Sequence, residues 1–386
     1  MYTSPEFIQQ CWSPHARAHV LNSAAMFQGA MSVPGRLAFN TIQHMLSAHG
    51  WIPTLTTLLT GYCQGIGSPD TAEVKQGSVE VITGLLRALQ VYTKKHVGFM
   101  PQNQMTDYLQ RLGTSLSAWN GFIGRQLAEA SQMRDIQAQE RVAGTIETLL
   151  KLLEDILTKE YCDRSDDKYA SYAFIIEGFV QLFTLVAAHL NQDVLQFPYI
   201  CSQFLVLLEV LVEFYPHVFA TLSEQRDILR VAQYSLKHHE ISVLSSGLRI
   251  TQHIGLTYID LKQQNIHMQN LNNLSICVCE LSTQLFELIL TDYVPSSVLR
   301  DISETLFITI SANQNHIASL SSQFIQNQPE SIQQRLNDCF GKLLTSQDPQ
   351  MVHSHTWDHN DDTNLKCFFQ KFRQFLLVAR GLVQIK

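Results

Sequence analysis

Helix start and stop signals recur through this chain at nearly even intervals, and that recurrence narrows what it can fold into. Pro329 stands where a first helical residue needs no N–H donor, and Glu330 complements the positive end of the helix dipole. Ile332, Leu336, Cys339, Phe340 and Leu343 then follow at i, i+4, i+7, i+8 and i+11, on one face, until Asp348-Pro349 stops the run. Pro295 opens another helix, with Val298, Ile302, Leu306 and Ile310 on its apolar side. Ser223 to His238 carries Glu224 and Asp227 first and Lys237 and His238 last, the charge order the dipole favours. Ile228, Leu229, Ala232 and Leu236 form its buried face. Sustained two-residue alternation, the mark of a half-buried strand, does not occur.

The periodicity predicts helices over 143–160, 170–190, 199–214, 223–238, 241–259, 273–291, 296–311, 315–327, 330–345 and 363–384. Links are short and polar, and paired helices begin near 170, 223, 273 and 315. A spacing of about 40–50 residues belongs to HEAT or armadillo arrays rather than shorter repeats. Neither helix of such a pair buries its wide apolar face alone, so neighbours must stack. The expected fold is therefore an all-α solenoid, a superhelix of HEAT-like antiparallel helix pairs, with an irregular helical bundle as the rival. The expected divisions are irregular helical repeats over 1–140, HEAT-like repeats over 141–345, a polar loop over 346–362 and a capping helix over 363–386. Within the first part, Leu37 to Leu46, Leu55 to Tyr62, Val79 to Tyr92 and Met105 to Ala118 read as helices, with Gly61, Gly65, Gly67 and Gly77 among the breaks.

Composition excludes several function classes. Apolar residues are 45% and charged residues 16% of 386, ample material for cores and unlike a disordered chain. Lys and Arg number 27 against 34 acids, a net −7 with no basic run, so the positive stripe a nucleic-acid partner needs is missing. The balance suits a basic protein partner better. The first 30 residues lack the pattern of a signal peptide, and the most apolar segment, Phe174 to Leu190, is interrupted by Glu177, Gln181 and His189. Eight cysteines are scattered without a CxxC pair and read as reduced core residues, which fits the cytosol or nucleus.

Chemistry-bearing clusters are few. His353, His355, His359, Asp358, Asp361 and Asp362 offer imidazoles and carboxylates that could suit a zinc or nickel ion, but with no cysteine pair and no second shell they read as a solvated linker, and no metal site is expected. Gly61, Gly65 and Gly67 faintly resemble a phosphate loop but lack its strand, helix and lysine, so a helix-to-helix turn is expected. Cys277 and Cys279 point to divergent sides of a helix, and His238-His239 reads as cations at a helix C-terminus. No nucleophile–base arrangement stands in a supporting context, so neither an enzyme nor a cofactor site is expected.

Charged stripes carry the functional expectation. Glu209 and Glu213 lie on an otherwise apolar helix, Asp301 and Glu304 on another, and Arg249, Gln252 and His253 on a third. All three are second helices of their pairs, which line the concave side of such a solenoid. Glu209, Glu213, Arg249, Asp301 and Glu304 are accordingly the candidate protein-binding residues, with plain solvated helix faces as the alternative. In the last helix, Leu365, Phe368, Phe369, Phe372, Phe375, Leu376, Ala379, Leu382 and Val383 form an apolar stripe expected to cap the array.

Four stretches also carry a family resemblance. FPYICSQFLVLLEVLVEFYPHVFATLSEQRDILRVAQYSL (Phe197 to Leu236), LLKLLEDILTKEYCDRSDD (Leu149 to Asp167), SLSSQFIQNQPESIQQRLNDCFGKLL (Ser319 to Leu344) and FLLVARGLVQIK (Phe375 to Lys386) resemble C-terminal repeats of the exportins in the karyopherin-β superfamily. LLRALQVYTKKHVG (Leu85 to Gly98) is a looser match, so the likeness covers about residues 80–386. The resemblance implies a receptor that holds protein cargo and Ran-GTP within its superhelix and carries them past nuclear pore proteins, shuttling between nucleus and cytoplasm. The N-terminal repeats that chiefly grip Ran in such receptors have no counterpart here. The chain then reads as a C-terminal portion, with Val20, Leu21, Met26 and Phe27 expected to lie bare on its first helix.

Overall fold

A computed structural model describes residues 13–32, 50–65, 72–96, 102–158, 192–215, 226–263, 271–291, 294–344 and 363–382, with isolated positions between 179 and 190 and at 219. Every regular element among them is helical, and no strand occurs there. The chain divides into two compact units, Met1–Leu207 and Leu208–Lys386, each with its own packed interior.

The first unit holds α1 (Pro14–Met31), α2 (Trp51–Gln64), α3 (Ala72–His96), α4 (Gln102–Met133), α5 (Ile136–Thr158) and α6 (Gln192–Leu195). Helix α1 starts because the Ser13 hydroxyl accepts from the Ala16 N–H at 3.2 Å while Pro14 occupies the first turn. Helix α2 stops where Gly65, at φ 65°, returns its N–H to the Gly61 and Tyr62 carbonyls. Gly61 and Gly65 thus belong to a helix and its cap rather than to a phosphate loop. Helix α4 runs to Met133, well past the expected end, straight through Gly113, Gly121 and Gly124. It ends on Arg134 at φ 53°, with Arg134 N bonded to Ser131 O and Asp135 N to Ala130 O. That is the double return of a Schellman cap, built on arginine where glycine is usual. Asp135 then caps α5 by accepting from Ala138 N at 3.0 Å, so two residues end one helix and start the next.

Packing skips one element at a time: α1 lies on α3, α2 on α4 and α3 on α5, with α3 also touching α2 and α4 touching α5. The expected bare face of α1 is corrected by this arrangement. Val20 and Phe27 are buried with Ala24 and Met31 against α3, Leu21 is half-buried, and Met26 alone of the four projects to solvent. Leu21 fits because Gly84 has no side chain; a Cβ there would stand 2.8 Å from Leu21 Cδ2. Hydroxyl pairs, the last of them wholly buried, tie these helices: Thr60 Oγ1 to Ser115 Oγ at 3.0 Å, Thr83 Oγ1 to Thr145 Oγ1 at 2.7 Å and Thr93 Oγ1 to Tyr108 Oη at 2.7 Å.

Helix α7 (Pro198–Phe214) contains the boundary between the units. The second unit continues with α8 (Arg226–Leu236), α9 (Ile241–Gln263), α10 (Leu271–Thr291), a 3-10 turn at Ser296–Val298, α11 (Leu299–Ala312), α12 (Gln314–Gln326), α13 (Glu330–Leu344) and α14 (Thr363–Leu382). Asn313 is the whole link between α11 and α12, and its side chain caps α12 by accepting from His316 N at 3.2 Å. The skipping pattern returns, with α8 on α10, α9 on α11 and α10 on α12, beside the sequential contacts of α8 with α9 and α9 with α10. This is packing compatible with stacked helix pairs. Gly247 and Gly255 let α9 approach closely: a Cβ on Gly247 would stand 2.2 Å from Ser235 Oγ, and one on Gly255 would stand 2.7 Å from Ile308 Cγ2.

Helix α14 lies on α13, α11 and α10. Phe375 meets Phe340 of α13 at 4.8 Å and Phe368 meets Phe307 of α11 at 5.2 Å, ring to ring. Arg380 donates from Nε and Nη2 to the Ile289 carbonyl. Leu365, Phe368, Phe372, Phe375, Leu376 and Ala379 are buried, while Leu377 is 78% exposed. The stretch Leu271–Leu290 of α10 is long and apolar enough to cross a membrane, yet it packs as a core helix of this unit. The helix expected over 37–46, most of 170–190, and the His/Asp-rich segment 353–362 lie outside the described residues.

Candidate protein-binding face

The candidate charges sit on α7, α9 and α11, and helical spacing decides which of them meet. Arg249 and His253 are four apart on α9, hence on one face, and both turn to Glu209 of α7. Arg249 Nη1 stands 3.5 Å from Glu209 Oε2, and His253 Nε2 stands 3.5 Å from Glu209 Oε1. The Glu209 side chain is only 19% exposed. Burial pushes its carboxyl up, but the His253 contact and the Arg249 and His253 charges outweigh burial and hold it below the usual carboxylate range.

One turn round α9, Gln252 crosses to α11. Its Nε2 donates to the Asp301 carbonyl at 3.3 Å and to Thr305 Oγ1 at 3.0 Å, with the side chain largely out of water. Asp301 is half-buried, and burial raises its carboxyl, helped by the neighbouring Glu304 and opposed by Arg249 and Arg300. Glu304 is 6% exposed and accepts from Arg300 Nε at 2.9 Å. Burying a carboxylate without such a partner would be costly.

The structure therefore joins Glu209 to Arg249 and His253, sets Asp301 within electrostatic reach of Arg249, and pairs Glu304 with Arg300 on its own helix. Glu213 stands exposed near the end of α7. The acidic stripe of Glu209 is answered inside the chain rather than left open toward a basic partner. Arg300 is the participant that sequence reasoning missed. It lies four residues before Glu304, the spacing of a helical ion pair, and that was the available signal.

A small cavity of about 180 Å³ opens beside this network, lined by Arg300, Ser303 and Glu304 of α11 and by Leu365, Lys366 and Phe369 of α14. Its walls are mainly apolar. Ser303 is completely buried, and its Oγ has no hydrogen-bond partner among the described residues.

Among the described residues, no three His, Cys, Asp or Glu side chains converge on one point. Burial pushes the Cys201 thiol up to about 12 and raises Cys63 and Cys279 as well, the opposite of an activated nucleophile. His316 turns Nε2 to the Cys279 carbonyl at 3.0 Å and to Thr283 Oγ1, not to the thiol, whose sulfur accepts instead from Asn313 Nδ2 at 3.2 Å. The reading of His238 as a cation at a helix end is corrected. It is buried, its Nδ1 accepts from Glu240 N at 3.0 Å, and burial with the adjacent His239 lowers its pKa, so the ring is neutral. No protein-family model matches the sequence.

Proposed function

We propose that the chain is the C-terminal cargo-holding portion of an exportin-4-like nuclear export receptor, an α-solenoid of HEAT-like helix pairs. The observation that carries the reading is the skipping contact pattern, α8 on α10, α9 on α11 and α10 on α12, over the region where the sequence resembles the karyopherin-β exportins. Stacked pairs present long helical faces, which suits them to holding proteins rather than small molecules. In the full receptor the partners are Ran-GTP, a protein cargo and nuclear pore proteins, and the protein shuttles between nucleus and cytoplasm.

The charge arrangement refines how cargo is held. Glu209 is already engaged by Arg249 and His253, so a basic cargo segment gains it only by displacing those partners. The test is a pull-down of the receptor carrying this portion, with Ran loaded with GTP against GDP, in the presence of nuclear extract. Cargo capture that depends on GTP supports the reading. Capture indifferent to nucleotide removes it in favour of a cytosolic HEAT scaffold that works without Ran.

A further inference from the structure

We infer that the outer face of α14, together with the cavity between it and α11, is a docking strip for an acidic amphipathic helix of a protein partner. The inference goes beyond the transport reading and stands on this surface alone.

Helical spacing draws the strip. Lys366, Phe369, Gln370, Arg373 and Leu377 fall at i, i+3, i+4, i+7 and i+11 of α14, one stripe of its surface. The opposite stripe is buried, so this one faces outward: Lys366, Gln370 and Arg373 are exposed and Phe369 is half-buried.

The two ends of the strip are apolar. At one end Leu365 and Phe369 wall the cavity of about 180 Å³. That is close to the roughly 150 Å³ space that takes one benzene ring, so a single apolar side chain fits. At the other end Leu377 is 78% exposed, whereas the other leucines of α14 are buried or half-buried. Phe369 and Leu377 are eight residues apart, about 12 Å along the helix.

Charge then selects the partner. Helix α14 carries Lys366, Lys371, Arg373 and Arg380 and no acid, in a chain whose net charge is −7. Lys366 and Arg300 border the cavity, and Arg373 lies over the Phe369 ring at 6.0 Å. The acid among the cavity's lining residues, Glu304, is 6% exposed and already accepts from Arg300. Carboxylates set between two apolar side chains complement this strip, and a basic partner is repelled by it.

Backbone chemistry favours a helix as the occupant. An extended segment gains main-chain hydrogen bonds only at a sheet edge, and no strand occurs among the described residues. A helix satisfies its own backbone, and its side chains at i and i+8 repeat the spacing of about 12 Å. A recess between two helices takes a projecting side chain, whereas a flat lipid surface meets only its rim.

The experiment uses the full chain and a fluorescein-labelled, alanine-based helical peptide with two leucines eight residues apart and glutamates on the same face. Anisotropy should show saturable binding. Replacing the peptide's glutamates by lysine, or its leucines by alanine, should each weaken binding about tenfold or more. Lys366→Glu with Arg373→Glu should weaken the acidic peptide by a similar factor and restore binding of the lysine peptide, with the melting temperature unchanged because both side chains are exposed. Methyl NMR signals of Leu365 should shift as the acidic peptide saturates. Equal binding of the acidic and lysine peptides, no rescue by the charge swap, or a silent Leu365 each overturns the proposal. Binding to phosphatidylserine vesicles without binding of the peptide overturns it in favour of a lipid surface. A dimer in sedimentation that excludes the peptide and dissociates in K366E/R373E overturns it in favour of a second copy of this chain. The comparison of Ran-GTP with Ran-GDP reads a separate property, so this strip and the transport reading can each fail alone.

Discussion

Replacing Phe375 by alanine tests the seat of α14 and, through its neighbour Leu377, the register of the whole helix. Phe375 is 4% exposed and packs ring to ring with Phe340 at 4.8 Å, whereas Leu377, two residues on, is 78% exposed. A buried aromatic side chain removes roughly 150–250 Å² from water, which at about 25 cal/mol per Å² is about 4–6 kcal/mol as an upper bound. Truncations of this kind in cores cost about 3–5 kcal/mol once partial collapse of the cavity is included. Leu377→Ala removes no buried contact and should stay within about 0.5 kcal/mol of wild type. Urea denaturation followed by circular dichroism reads both variants as shifts in midpoint. A cost below about 1 kcal/mol for F375A, or an L377A cost of comparable size, would mean that α14 presents a different face and that the reasoning is wrong.

Other expectations follow from the same contacts. Glu209→Gln should destabilise by about 0.5–1 kcal/mol at neutral pH, within the usual range for such pairs because Arg249 is half-exposed. Since the folded carboxyl lies below its unfolded value of about 4.3, that contribution is present above pH 4.3 and disappears as pH falls through the folded value, so wild type and E209Q should converge in acid. Arg134→Gly should stabilise by about 1 kcal/mol by relieving a positive φ at a helix end, and an unchanged midpoint would count against the cap geometry. Gly247→Ala should cost about 1–3 kcal/mol because its Cβ meets Ser235, while Gly121→Ala, with open space around it, should gain about 0.5–1 kcal/mol. Equal effects of the two glycine changes would contradict the close approach of α8 and α9.

What was legible in the sequence follows from where its information is local. Helices α9 to α13 lie within a few residues of their expected bounds because Pro295 and Pro329 open two of them and their apolar faces are regular. Helix α4 runs past the expected end at Ala118 because the buried Trp119 and Ile123 sustain it through packing across Gly121 and Gly124, which weaken a helix intrinsically. Charges were found but not their answers. Glu209 read as an acid on an apolar helix, and only the approach of α9 to α7 brings Arg249 and His253 to it. The cavity between α11 and α14 had no signal at all. A serine in mid-helix ordinarily bonds its own backbone, so nothing in the letters distinguishes Ser303 from Ser311.

The hydroxyl pairs of the first unit bear on how it can move. Helices held by greasy side chains alone can creep past one another by small re-packings, since dispersion is indifferent to direction. Sliding α3 by one turn against α5, about 5.4 Å, would tear Thr83 from Thr145, and against α4 it would strip Thr93 from Tyr108. The threonines would keep the bonds to their own helices, at Val79 O, Leu89 O and Arg141 O, so the cost falls mainly on the buried Tyr108 hydroxyl, about 1–3 kcal/mol. These rungs act as detents: within that unit, any yielding to a bound molecule must come from bending along the helices rather than from shear between them.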